Sequence, residues 1–165
     1  MAYGTYSHAE GNVTQANGYA SHAEGHGSIA NGYSSSAINR VTEARGHGSF
    51  SAGQGTMATG ANAFVIGTYN IIDKGGDLAS GEKDESGNPI PQRTYEQRLK
   101  GQYAFILGKG DDDAHRSNAT TIDWSGNIWS AGTLTANALI VKKNISYGNT
   151  FPSNPVEGQI FFKKI

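Results

Sequence analysis

The sequence predicts an all-β fold, a parallel β-solenoid or β-roll with coils of fourteen residues. Three observations predict it. SHAEG occurs at 7–11 and again at 21–25. Small residues recur at a strict seven-residue step from Ser7 to Gly67. Glycine is 23 of 165 residues, about twice its usual ~7% share, and hydrophobic residues are only 36%, many of them alanine. A chain so poor in large apolar side chains cannot fill a conventional core. It can build a thin repeat that packs by stacking backbone.

The step begins Ser7, Thr14, Ser21, Ser28, Ser35, Thr42, Ser49 and Thr56. Two places on stand Ala9, Ala16, Ala23, Ala30, Ala37, Ala44, Ser51, Ala58 and Val65. Four places on stand glycines from Gly11 to Gly67, with Asn39 the one exception. In an extended strand residues i, i+2 and i+4 share one face, so the unit (S/T)-x-A-x-G gives a face of small residues suited to a narrow interior. Glycine then permits a positive-φ turn, and Asn17-Gly18 and Asn31-Gly32 add turn signals. Seven residues make one short strand and one turn, and fourteen make one coil. A flexible linker would not hold this period.

The intervening positions point outward in two sets. One strand of each coil carries His8/Glu10, His22/Glu24, Ser36/Ile38, Phe50/Ala52 and Phe64/Ile66. This face changes from polar to apolar along the chain, and it predicts burial against other copies in a symmetric oligomer. The other strand carries Gln15/Asn17, Ile29/Asn31, Glu43/Arg45 and Met57/Thr59, and reads as solvated.

The paired S-x-A-x-G strands in a fourteen-residue repeat over residues 2–67 resemble the head domain of YadA-type trimeric autotransporter adhesins. The resemblance implies a left-handed parallel β-roll, three of which pack around one axis. His8, Glu10, His22, Glu24, Ile38, Phe50, Phe64, Ile66, Phe105 and Leu107 would then face that axis. Family heads usually carry apolar residues there, whereas the first two coils here carry His and Glu. The SHAEG form is more similar to versions in tail-fibre and tail-associated proteins of phages and prophages, particularly of Gram-positive hosts. Ala2 and Gly4 already fit the repeat, so the chain is expected to begin mid-coil, as a piece of a longer fibre would.

AFVIG at 63–67 returns as AFILG at 104–108. Between them, residues 73–103 are charged and contain Pro89 and Pro91, and read as a loop inserted between coils. Residues 1–72 are then the roll, 104–147 a last coil with a β-hairpin region, and 148–165 a C-terminal β tip. ATTIDW and NIWSAG flank Ser125-Gly126, a hairpin signal, with Trp124, Ile128 and Trp129 as the bulk. RTYEQRLK at 93–100 is the one helix candidate. GKGDDDAHRSNATTIDWSGNIWSAG also resembles a segment that follows the roll in phage proteins, and the C-terminal FPSNPVEGQIFFKKI resembles fibre tips of phage tail proteins.

Composition excludes several classes of function. Thirteen basic against 14 acidic residues give no electrostatic case for nucleic acid or an anionic membrane. With no cysteine there is neither a disulfide framework nor a thiolate metal site. The N-terminus shows no signal peptide, and no apolar run is long enough to insert in a bilayer. No cofactor is expected and no catalytic residues are assigned.

The His/Glu pairs admit three roles: a hydrogen-bonded network that fixes register, an axial ion held by His8 and His22 from several chains, or catalysis. A repeating unit without a nucleophile argues against the last. Asp111–Asp113 and DWSGN at 123–127 fit acidic turns better than calcium loops. GxG at 108–110 is too short a signal for phosphate binding. His26 and His47 read as solvent-facing turn residues, and the sequons at Asn12, Asn118 and Asn144 carry no weight in a bacterial or phage setting.

Recognition residues are expected where the scaffold is interrupted. Arg93, Tyr95, Gln97 and Arg98 in the inserted loop are candidates, with Tyr147 and Phe151 near the tip. The expected function is a structural and adhesive fibre segment in an extracellular phage tail. Its expected partners are two further copies of the chain, other tail proteins, and a host-surface glycan or protein. The alternative is the head of a bacterial surface adhesin. A polysaccharide depolymerase would need a carboxylate pair in a groove, and Glu10 and Glu24 sit instead in a repeat.

Overall fold

The computed structural model describes residues 1–73 and 101–133. The candidates Arg93, Tyr95, Gln97, Arg98, Tyr147 and Phe151, the helix candidate and the tip at 148–165 lie outside the described residues. The fold is an all-β parallel β-solenoid of about four turns.

Each turn contributes one five-residue strand to a large sheet and one two-residue strand to a small one. The coils are β1 (His8–Asn12) with β2 (Gln15–Ala16), β3 (His22–His26) with β4 (Ile29–Ala30), β5 (Ser36–Arg40) with β6 (Glu43–Ala44), and β7 (Phe50–Gln54) with β8 (Met57–Ala58). β9 (Phe64–Thr68), β10 (Tyr103–Lys109), β11 (Asn118–Asp123) and β12 (Ile128–Ser130) extend the large sheet alone. Partners in successive coils stand fourteen residues apart, as in His8 opposite His22 opposite Ser36. The half-repeats are therefore unequal, and the structural period is fourteen, although the sequence marks both halves alike.

The interior is as narrow as the small residues require. Ala16, Ala23, Ala30, Ala37 and Ala44 are fully buried and stack in one cluster. Two buried hydroxyls close their turns: Ser21 Oγ donates to Gly18 O at 2.7 Å and Ser35 Oγ to Gly32 O at 2.8 Å. Thus the serine ladder holds the corners while the alanine ladder fills the core.

Both glycine columns are closed to a Cβ by the next coil, and only one also takes a positive φ. Gly25 has φ +105°, a conformation that L side chains resist, and a Cβ there would also lie 2.2 Å from the Asn39 carbonyl oxygen. Gly32 has no positive φ. A Cβ there would lie 2.1 Å from the Gly46 carbonyl oxygen, so its role is close coil stacking. Other left-handed corners carry side chains, including Val13 (φ 58°), Ala20 (φ 51°) and Val41 (φ 52°).

Phe64 and Phe105 are parallel partners 41 positions apart. That is 27 more than the usual 14, which matches the length of 74–100. The chain leaves and re-enters at one place: Asp73 Oδ2 accepts from Tyr103 N at 3.0 Å, and a Cβ on Gly101 would lie 2.1 Å from that same oxygen. The small sheet ends where Asn70 replaces a strand partner by its side chain. Its Oδ1 accepts from Met57 N at 2.8 Å and its Nδ2 donates to Met57 O at 3.1 Å. Beyond this point β10 pairs antiparallel with β11, and β11 with β12, the latter pair joined through a turn at Gly126 (φ 83°).

The small-sheet face is less solvated than the sequence suggests. The Glu43 and Arg45 side chains are 18% and 11% exposed and form an ion pair at 2.7 Å. Thr59 is buried and donates to Asp73 O at 2.7 Å.

Candidate functional site

The outer face of the large sheet gathers all ten predicted axis residues. Their in-register pairing makes two rows. The first is His8, His22, Ser36, Phe50, Phe64 and Phe105; the second is Glu10, Glu24, Ile38, Ala52, Ile66 and Leu107. Alternation along each strand puts both rows outside, because the residue between them is the buried alanine or its equivalent.

At the polar end the His8 and His22 rings stack, with centroids 5.2 Å apart and planes at 10°. Each histidine approaches the glutamate of its own strand: His8 Nε2 to Glu10 Oε2 at 3.5 Å, and His22 Nε2 to Glu24 Oε2 at 3.4 Å. These are long, exposed contacts and add little as isolated pairs. Like stacks on like, so Glu10 is in register with Glu24, a like-charge pairing that costs stability. Among the described residues no three His, Asp or Glu side chains converge on a metal position within one chain. His8 and His22 therefore become a ligand set only if other copies complete it.

At the apolar end Phe50 and Phe64 stack at 4.7 Å, and Phe64 and Phe105 at 6.1 Å. Phe64 remains 44% exposed. The row continues through Ile122, opposite Phe105, to Ile128, opposite Ile122 and 70% exposed. An aromatic and aliphatic strip thus runs along five strands on a body whose interior is mostly alanine and serine.

The acidic segment after β10 is a self-satisfied turn. Asp112 Oδ1 accepts from Ala114 N and His115 N, both at 2.9 Å, and the His115 ring lies 2.9 Å from it. The His115 hydrogen bond is the main cause holding the Asp112 carboxyl below its ordinary value. The same bond raises His115. Asp113 pairs with Arg116, which also reaches Gly55 O at 2.9 Å and ties the turn to the roll. Asp123 is likewise lowered, first by the Asn127 side chain, in a turn closed by its own carboxylate.

Sequence reasoning missed one ladder. Tyr19 stacks on Tyr33 at 5.0 Å, Tyr6 packs edge-on against Tyr19 at 5.4 Å, and His47 lies 6.0 Å from Tyr33. His47 is thereby half-buried, not solvent-facing. Its signal was the fourteen-residue spacing of Tyr19, Tyr33 and His47. Tyr19, Tyr33 and His47 stack face to face, whereas Tyr6 meets Tyr19 edge-on and is largely exposed.

Comparison with protein families, with curated proteins and with solved structures gives no match for this chain.

Proposed function

We propose that this chain is a structural and adhesive segment of a homotrimeric fibre, in the tail of a phage or prophage, that presents a host-receptor-binding surface. The observation that carries the proposal is the outer strip of Phe50, Phe64, Phe105, Ile38, Ile66 and Leu107. It is half-buried apolar surface, with Phe64 44% exposed, on a scaffold too thin to bury it alone. Three copies of a YadA-type roll around that strip would cover it and would bring His8, Glu10, His22 and Glu24 together at one end. The hydroxyls of Ser21, Ser35 and Thr42 are committed to turns and ladders, which supports a scaffold rather than an enzyme. Three equivalent receptor sites would turn weak single contacts into avidity. The receptor is a cell-surface glycan or protein, and other tail proteins are the remaining partners.

The test is binding of the fluorescently labelled chain to Gram-positive bacterial cells, with animal matrix proteins in parallel. Saturable attachment to bacteria, weakened when Phe50→Asp and Phe64→Asp dismantle the trimer, is the expected result. Attachment to matrix instead would favour the head of a bacterial surface adhesin. Attachment to neither would overturn the adhesive reading.

A further inference from the structure

Beyond the small sheet, the inner face of the large sheet has no opposite wall among the described residues. Val65, Ile106, Thr121 and Trp129 are in-register neighbours on that face. Val65 and Ile106 are still buried, but Trp129 is 54% exposed. A bulge in β10 between Tyr103 and Phe105 turns Tyr103 inward onto Ile106, with Asp123 opposite it. The result is a cavity of about 370 Å³, lined by Tyr103, Asn118, Thr121, Asp123, Asn127 and Trp129 among others. Its size falls in the ordinary range of small-ligand sites.

The polar lining is what singles it out. Thr121 and Asn118 are 4% and 6% exposed, yet their polar atoms are not all used. Asn118 Oδ1 accepts from Ile71 N at 2.9 Å, while its Nδ2 and the Thr121 hydroxyl have no hydrogen-bond partner among the described residues. Neither atom is sealed from solvent, so both open into the cavity, where the hydroxyls of an entering ligand can take the place of water. Asn127 adds a free carbonyl, because only its Nδ2 is committed, to Asp123 Oδ2 at 2.8 Å. Two backbone N–H groups hold Asp123 Oδ1 in place, so this acceptor pair is preorganised.

The geometry points to a binding site for a neutral pyranoside, the end or branch of an uncharged glycan. The half-exposed indole of Trp129 offers a flat apolar surface for the C–H face of a sugar ring. The ring hydroxyls would meet a donor in Asn118, a donor and acceptor in Thr121, and acceptors in Asn127 and Asp123. No Lys, Arg or His lines the cavity among the described residues, and the Asp123 carboxylate repels anions. Sialylated or phosphorylated sugars are therefore disfavoured. This deepens the adhesive reading and rests on it for where such a glycan would be met.

The test is calorimetric titration of the full chain with methyl β-glucopyranoside, methyl β-galactopyranoside, N-acetylglucosamine and short neutral oligomers of each, with sialyllactose as the anionic control. At least one neutral saccharide should bind saturably and more tightly than sialyllactose. Trp129→Ala and Thr121→Val should weaken it at least tenfold, and Trp124→Phe should not. Circular dichroism checks that each variant folds, and Asn127→Ala, at an exposed position, gives a further test if Thr121→Val fails to fold. Failure of every neutral saccharide, or unchanged affinity in Trp129→Ala and Asn127→Ala, would overturn the site. If the parent chain still attaches to cells in that case, the adhesive reading survives without this site. If saccharide binds but no cell does, the site stands and the adhesive reading falls.

Discussion

Replacing Gly32 by alanine separates the two reasons for glycine in this fold. The new Cβ would lie 2.1 Å from Gly46 O, 2.6 Å from Gly46 C and 2.8 Å from Arg45 O, all backbone atoms. Carbon needs about 3.5 Å from such neighbours, so the coils must part locally by more than about 1 Å against a strand spacing of about 4.8 Å. That opening breaks the bonds from Asn31 N (2.8 Å) and Gly32 N (3.1 Å) to Ala44 O, and strains Ser35 N to Gly32 O (3.2 Å). At about 1 kcal/mol net for each bond, the two broken bonds and the strained third cost about 2 to 3 kcal/mol. Gly27→Ala is the control. Gly27 has φ +67°, but its Cβ would meet nothing nearer than Val41 Cγ2 at 3.6 Å. Only the left-handed backbone is penalised there, by about 1 kcal/mol, and Val13 and Val41 already tolerate it at equivalent positions. Urea denaturation of both variants, followed by far-ultraviolet circular dichroism, reads the difference. Equal destabilisation would refute the claim that coil contact, not turn geometry, selects glycine at this column.

Asn70→Ala leaves Met57 N and O without the amide that closes the small sheet, and should cost about 2 kcal/mol in the same assay. Ala37→Leu forces a large side chain into a fully buried position between in-register Ala23 and Ser51 and should cost about 3 kcal/mol or prevent folding. The Asp112–His115 pair should leave a small pH signature. His115 is raised from 6.5, so its contribution is complete below that value and is lost as pH rises through the raised one. Asp112 is lowered from 3.8, so its contribution is present above that value and is lost as pH falls through the lowered one. His115→Ala should therefore reduce stability between those values and leave it unchanged at alkaline pH, as thermal melts across the pH range would show.

The coils were legible because small residues in strict period leave few other ways to bury backbone: Ala23 over Ala37 and His22 over Ser36 follow from counting by fourteen. The unequal halves were not, because (S/T)-x-A-x-G looks the same at Ala9 and Ala16, and only hydrogen bonding tells a five-residue strand from a two-residue one. Gly32 and Gly25 also look alike in sequence, and both are closed to a Cβ by the next coil's carbonyl, although only Gly25 also takes a positive φ. The outer strip was readable from alternation alone. The cavity beside Trp129 was not, since it depends on the β10 bulge that turns Tyr103 inward and on Asn70 ending the small sheet. Asn70 had one trace in the sequence: it occupies the place held by Thr14, Ser28, Thr42 and Thr56 in the coils before it.

The most direct test of the account is the mass of the chain in solution, measured by light scattering after gel filtration, with and without chelator. The expected mass is three times the 17.4 kDa chain mass, falling to one chain mass when Phe50 and Phe64 are both replaced by aspartate. Dissociation by chelator would add His8 and His22 as ligands to an axial ion. A stable 17.4 kDa monomer would contradict the shared outer face, and with it the fibre.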